Sequence, residues 1–159
     1  MSAILQLNDK LKEFEKQKQN LIKALRKDLK GVLKELFANI PEIKTIYWTQ
    51  YTPYFMDGDE CIFGINEIMV SNTDKVFVSY PEDLKDYLEE EDSEENLWAD
   101  YASSVSKKLV SSADSRKTLR DFVSIIHRSE SLIKEVFGDH VRVIGTKSGF
   151  RIEDYSDHH

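Results

Sequence analysis

The chain has 159 residues, of which 40% are hydrophobic, 11% aromatic and 32% charged, and its formal net charge is −7. That length suits one compact domain with appended helix and is too short for two full-sized enzyme domains, and the composition excludes a globally disordered chain. A negative balance disfavours direct nucleic-acid binding, because affinity for a polyanion comes mainly from lysine and arginine neutralising phosphates. No apolar run reaches the roughly 20 residues of a membrane helix, the N-terminus lacks the basic-then-apolar pattern of a secretory signal, and the single Cys61 has no second thiol for a disulfide or a zinc site. A reducing cytoplasm and no membrane partner are the expectations.

The first forty residues predict one long helix. Ile4, Leu7, Leu11, Phe14, Lys18, Leu21 and Leu25 recur at alternating three- and four-residue spacings, a heptad seam interrupted by a polar residue of the kind that fixes register. After Leu25 the stripe broadens through Leu29, Val32, Leu33, Leu36, Phe37 and Ile40, as suits packing on a globular body, and Pro41 sets the end near Asn39. The outer half is expected to seek a partner helix and the inner half to dock; the alternative is that the whole helix packs on its own chain.

Two strands follow, Ile43 to Phe55 and Cys61 to Val70, rich in β-branched and aromatic residues and joined through Met56-Asp57-Gly58-Asp59-Glu60, whose Asp-Gly pair is a hairpin signal. In the first, Tyr47, Thr49, Tyr51, Pro53 and Phe55 share one side and Trp48, Gln50, Thr52 and Tyr54 the other; Pro53 implies an edge or an interruption there. Ser71 to Asp74 reads as a turn and Lys75 to Val78 as a short strand. Pro81 opens an acidic helical stretch whose block Glu89 to Glu95 is dense in like charge. Leu97, Tyr101, Val105 and Leu109 then predict a short amphipathic helix, the polar SSADS a capping linker, and Ser115 to Phe137 a second helix ended by Gly138. VRVIGTKSGFRIEDY predicts a closing hairpin about Lys147-Ser148-Gly149.

Three chemistries can be weighed on these residues. Asp57, Asp59 and Glu60 around Gly58 offer oxygen ligands, yet the spacing of a calcium loop is absent, and a hairpin turn needing glycine accounts for them. His140 with Asp139 or Asp154 offers an acid/base pair, against a histidine hydrogen-bonded at the start of a strand. Trp48, Gln50, Thr52 and Tyr54 mix rigid aromatic area with hydrogen-bonding groups, as recognition surfaces do, against simple core packing. No phosphate loop, dinucleotide fingerprint, nucleophile elbow or His-Glu-x-x-His motif occurs, and Cys61 within a strand pattern reads as an inert thiol.

The segments WTQYTPYFMDGDECIFGINE and FGDHVRVIGTKSGFRIEDYSDH resemble, in the same order, small and mostly uncharacterised proteins encoded by tailed bacteriophages, which share a WTQYTPYFxDGD-like segment and an FGDHV start to a C-terminal hairpin. The resemblance implies a viral origin and action in the cytoplasm of a host bacterium; it brings no activity that transfers residue by residue.

The expectation is therefore an α+β fold: an antiparallel sheet of about four strands from two hairpins, packed with helices. Residues 1–40 form a long, coiled-coil-like helix and 41–159 the α+β domain. The expected function is that of a non-enzymatic phage binding protein, a homo-oligomer that inhibits or sequesters a host defence factor, with no cofactor and no metal. Its contact residues are Tyr47, Trp48, Gln50, Thr52, Tyr54, Asp57, Asp59 and Glu60, and its oligomerisation residues Leu7, Leu11, Phe14, Lys18, Leu21 and Leu25. In a variant, Glu89 to Glu95 mimics phosphates toward a basic host protein. The alternatives are a small metal-dependent hydrolase built on Asp57, Asp59 and His140, and a small-nucleotide sponge using Tyr47, Trp48 and Tyr54.

Overall fold

The computed structural model describes residues 2–54, 58, 60–74 and 97–156. Helix α1 (Ala3–Asn39) starts where the Ser2 side chain accepts the Leu5 N–H, and it stops two residues before Pro41, with the Ile40 N–H still donating to Leu36 O. At 37 residues it is about 55 Å long, far more than a body of this size needs to cover one sheet.

The sheet is antiparallel throughout and has six strands: β1 (Thr45–Tyr51), β2 (Gly64–Ile65), β3 (Met69–Ser71), β4 (Ala99–Tyr101), β5 (Val141–Thr146) and β6 (Gly149–Asp154). Their order is β4-β3-β1-β5-β6, with β2 also paired to β1. Both expected hairpins are present, and the two further strands have separate causes. The second strand of the first hairpin is split: Gln50 faces Ile65 and Tyr47 faces Met69, so three residues, Asn66 to Ile68, oppose the two residues Trp48 and Thr49. This is a β-bulge. Asn66 holds it by donating its N–H to Thr49 O and its Nδ2 to Thr49 Oγ1, and the shift buries Ile68 completely. β1 ends at Tyr51, two residues before the proline that cannot donate to a ladder.

The other addition is β4, where the spacing of Leu97, Tyr101, Val105 and Leu109 predicted a helix. Ala99 to Tyr101 instead pair with β3, and Asp100 folds the chain back by accepting Tyr101 N–H on one oxygen and Ser106 N–H on the other. Serine and aspartate side chains that bond nearby backbone compete with helix, and here they act beside an open strand edge that offers a full set of partners. The long second helix is likewise two: α2 (Ala113–Arg128), capped by Ser112 accepting Ser115 N–H, and α3 (Glu130–Phe137), which begins after Ser129 turns away at φ −116°, ψ 32°. Gly138, at φ 103°, ends α3 as expected, in backbone geometry that favours glycine. The expected strand Lys75 to Val78, the helical stretch after Pro81 and the acidic block Glu89 to Glu95 lie outside the described residues.

One face of the sheet carries the main core. Trp48, 1% exposed, is packed edge-on by Phe137 and Phe150 with ring centroids 5.8 and 6.3 Å away, and tilted against Phe122 at 6.4 Å. Leu33 of α1 lies over Gly145 of β5 so closely that a Cβ there would stand 2.8 Å from Leu33 Cδ2. The opposite face carries a smaller cluster of Tyr47, Met69 and Ile144, flanked by Ala99 and Tyr101. Tyr47 Oη, alone among the buried side-chain polar atoms of the described residues, has no hydrogen-bond partner, and burial pushes its phenol far above the usual range.

Candidate functional site

The apolar stripe of α1 runs along one side of the helix with Lys18 as a polar interruption, and the body covers only part of it. From Ile22 onward it is docked: Ile22, Leu33 and Leu36 are buried, and Leu25 and Leu29 pack against the same core. Arg26 donates through Nε and Nη2 to Val136 O at the end of α3, and Lys18 reaches Glu135 at 3.2 Å. Toward the N-terminus the same face is uncovered, with Ile4 79%, Leu7 59%, Leu11 58% and Phe14 66% exposed. Leu21, at the margin of the docked region, is 52% exposed. The six seam residues thus divide: Leu7, Leu11, Phe14 and Leu21 face outward, Lys18 marks the edge of the body, and Leu25 belongs to the core. Ile22, missed in the sequence reading, is where the stripe turns inward; its signal was that it directly follows Leu21, widening a two-position seam to three.

Isolated apolar side chains on a surface are ordinary, whereas four large ones aligned along one side of a helix form a contiguous exposed apolar face. Lys10 flanks it on one side and Glu15 on the other, in the positions that border a heptad seam.

The second set of expected contact residues is placed differently. Trp48 and Gln50 are inside, 1% and 0% exposed, so they present no surface to a ligand. Trp48 Nε1 donates to Gln50 Oε1 at 2.9 Å, and Gln50 Nε2 donates to Gly138 O at 2.8 Å and Ile133 O at 3.3 Å. What covers Trp48 is the protein's own α2, α3 and β6. Tyr47 is buried on the other face. Thr52 donates its N–H and its hydroxyl to the two oxygens of Asp139, both at 2.7 Å, and Tyr54 stacks on His140 with centroids 4.8 Å apart and rings 11° from parallel. Tyr54 remains 60% exposed, and its hydroxyl donates to Ser156 O. Glu60 is exposed, and Asp57 and Asp59 lie outside the described residues.

These contacts form a ladder. Trp48 meets Phe137, Gln50 meets Gly138, Thr52 meets Asp139 and Tyr54 meets His140, every second residue of one strand against successive residues of the Phe-Gly-Asp-His turn. The two segments that carry the sequence resemblance are therefore one packed unit. Removal from water pushes the pKa of Asp139 up, but hydrogen bonds from the Thr52 side chain, the Thr52 backbone and the His140 backbone outweigh it and hold the carboxyl below its ordinary range. A carboxylate so engaged is an anchor for the turn, and it allows His140 to sit at φ 54°, unusual for a residue with a side chain. His140 is turned toward Tyr54 and Asp139, with Nε2 3.7 Å from Asp139 Oδ1. Among the described residues no group of three His, Cys, Asp or Glu side chains is arranged to hold a metal ion, and no helix is long and apolar enough to cross a membrane.

Compared with protein-family models, with curated proteins and with solved structures, the chain matches none of them.

Proposed function

We propose that this chain is a non-enzymatic binding protein that works as a homo-oligomer assembled through the free half of α1, and that, as a phage product acting in the host cytoplasm, it holds or blocks a host factor. The observation that carries the reading is the exposed continuation of a docked apolar stripe: Ile4, Leu7, Leu11 and Phe14 extend the face that Ile22, Leu33 and Leu36 bury. A second copy is its natural complement. In a parallel pair the seam residues meet their own counterparts, and Lys10 of one copy comes beside Glu15 of the other, five residues on, as in a two-stranded coiled coil. The assembly would multiply whatever contact the α+β body makes with its target, since linked sites raise effective concentration.

Light scattering on the intact chain and on a Leu7→Glu/Leu11→Glu variant tests this. The intact chain should have at least twice the mass of the variant, with unchanged circular dichroism in the body. An intact chain that is monomeric across a dilution series would remove the assembly. Affinity capture from host lysate with the intact chain, set against the variant, then reads whether target binding depends on assembly.

A further inference from the structure

Strand β6 stands at one end of the sheet, and its outer edge is unpaired among the described residues. Which backbone groups it offers follows from the register. Gly149 closes the two-residue turn against Thr146, Arg151 faces Ile144, Glu153 faces Arg142, and beyond the strand the Tyr155 N–H donates to His140 O. Odd-numbered residues therefore bond inward to β5, and Phe150, Ile152 and Asp154 direct their N–H and C=O groups outward. Such an edge is a template for another strand unless something blocks it. β6 contains no proline and no bulge, and its central apolar residue, Ile152, is 46% exposed.

The geometry points to β6 as a second self-association surface, on which β6 of another copy adds antiparallel about a two-fold axis through Ile152. The charges select that register. The outward groups allow only even-numbered residues to exchange hydrogen bonds, so three two-fold arrangements are central enough to form. Centring the axis on Arg151 sets Arg151 against Arg151, and centring it on Glu153 sets Glu153 against Glu153; like charges directly opposite are destabilising. Centring it on Ile152 sets Arg151 against Glu153 of the second copy, twice, on one face, and Ile152 against Ile152 on the other. On that helix-side face Asp154 of the second copy comes opposite Phe150, at a cavity of about 270 Å³ whose wall includes Arg26 and Lys30. Guarding residues on an edge strand repel a second copy; an Arg-x-Glu pair centred on an isoleucine is complementary to itself. The surface is independent of α1 association and stands or falls separately.

The test uses the full chain carrying Leu7→Glu/Leu11→Glu, so that α1 does not contribute mass. In that background the chain should dimerise as it is concentrated. Arg151→Glu places four carboxylates at the junction and Glu153→Arg four guanidinium groups, so each variant alone should stay monomeric. Mixed in equal amounts the two should form a heterodimer, because every cross-strand pair is then of opposite sign. Circular dichroism of each variant checks folding. As a readout that needs no substitution in β6, the Ile152 amide should exchange with solvent about tenfold more slowly, or slower still, in the concentrated than in the dilute sample. A background chain that stays monomeric with concentration-independent exchange at Ile152 overturns the proposal and leaves the edge to a strand from another protein. Variants that dimerise alone as well as the background chain does would overturn the register.

Discussion

Replacing Gln50 by leucine separates a packing role for the aromatic strand from a ligand-binding one. Gln50 is 0% exposed, and its amide is the sole bridge between the Trp48 indole and Gly138 O. Leucine has nearly the same volume but no polar atoms, so the substitution strands the buried Trp48 N–H and takes from the part-buried Gly138 carbonyl the Gln50 donor. The unsatisfied buried donor costs about 1–3 kcal/mol and the part-buried carbonyl adds less, while the added apolar surface of leucine recovers part of this, which leaves an expected loss of about 1–3 kcal/mol. Urea unfolding followed by tryptophan fluorescence measures it, with an unchanged slope showing that the same surface is still exposed on unfolding. A companion Trp48→Phe variant removes the stranded donor, so the pair of changes together should cost about 1 kcal/mol less than the sum of each alone. A Gln50→Leu protein within about 0.5 kcal/mol of wild type would refute the reasoning, because the network would then contribute no more than an exposed contact.

Two further outcomes follow from the packing. Gly145→Ala should destabilise the fold by about 1–3 kcal/mol, because the new methyl meets Leu33 and Ile46 within 3 Å in a layer that has no space to give; a midpoint of thermal unfolding equal to wild type would contradict it. Asp139→Asn should flatten the acid limb of the stability profile. The folded-state pKa of Asp139 lies below the ordinary 3.8, so the unfolded chain binds the proton first as pH falls and stability rises with pH through that window. The contribution is present above about pH 4 and disappears as pH falls through the lower, folded-state value; wild type and variant should therefore converge at low pH.

The elements legible in the sequence were those with strong local signals. The Pro41 limit of α1, the capping serines before α2, the Gly138 stop and the hairpin at Lys147-Ser148 each rest on chemistry within a few residues. The bulge at Asn66 to Ile68 and strand β4 were not, because each is decided by a neighbour distant in the chain: Thr49 accepts Asn66, and β3 supplies the edge that converts 99–101 from helix to strand. The two faces of β1 were assigned correctly, Trp48 and Gln50 to one and Tyr47 to the other. What alternation cannot give is what lies above a face, and here α2, α3 and β6 cover Trp48 and Gln50, two of the residues that a ligand was expected to meet. The open seam of α1 was visible as a heptad pattern, but the boundary at Lys18 to Ile22, where free helix becomes docked helix, required the position of α3.

The pairing of β1 with β5 also fixes an order of events during synthesis. Ile46 is paired opposite Gly145, and the rings around Trp48 belong to Phe122, Phe137 and Phe150, so the set of partners of the central strand is complete only when roughly a hundred more residues have been made. At about 5–20 residues per second the ribosome takes some 5–20 s over that stretch. Throughout it α1 has already emerged with its whole apolar stripe uncovered, docked half and free half alike. A nascent α1 that pairs with its counterpart on a neighbouring ribosome would bury that stripe in a register its finished body must later contest. In the finished fold the Lys18 to Ile22 boundary is where burial of that stripe by the body begins.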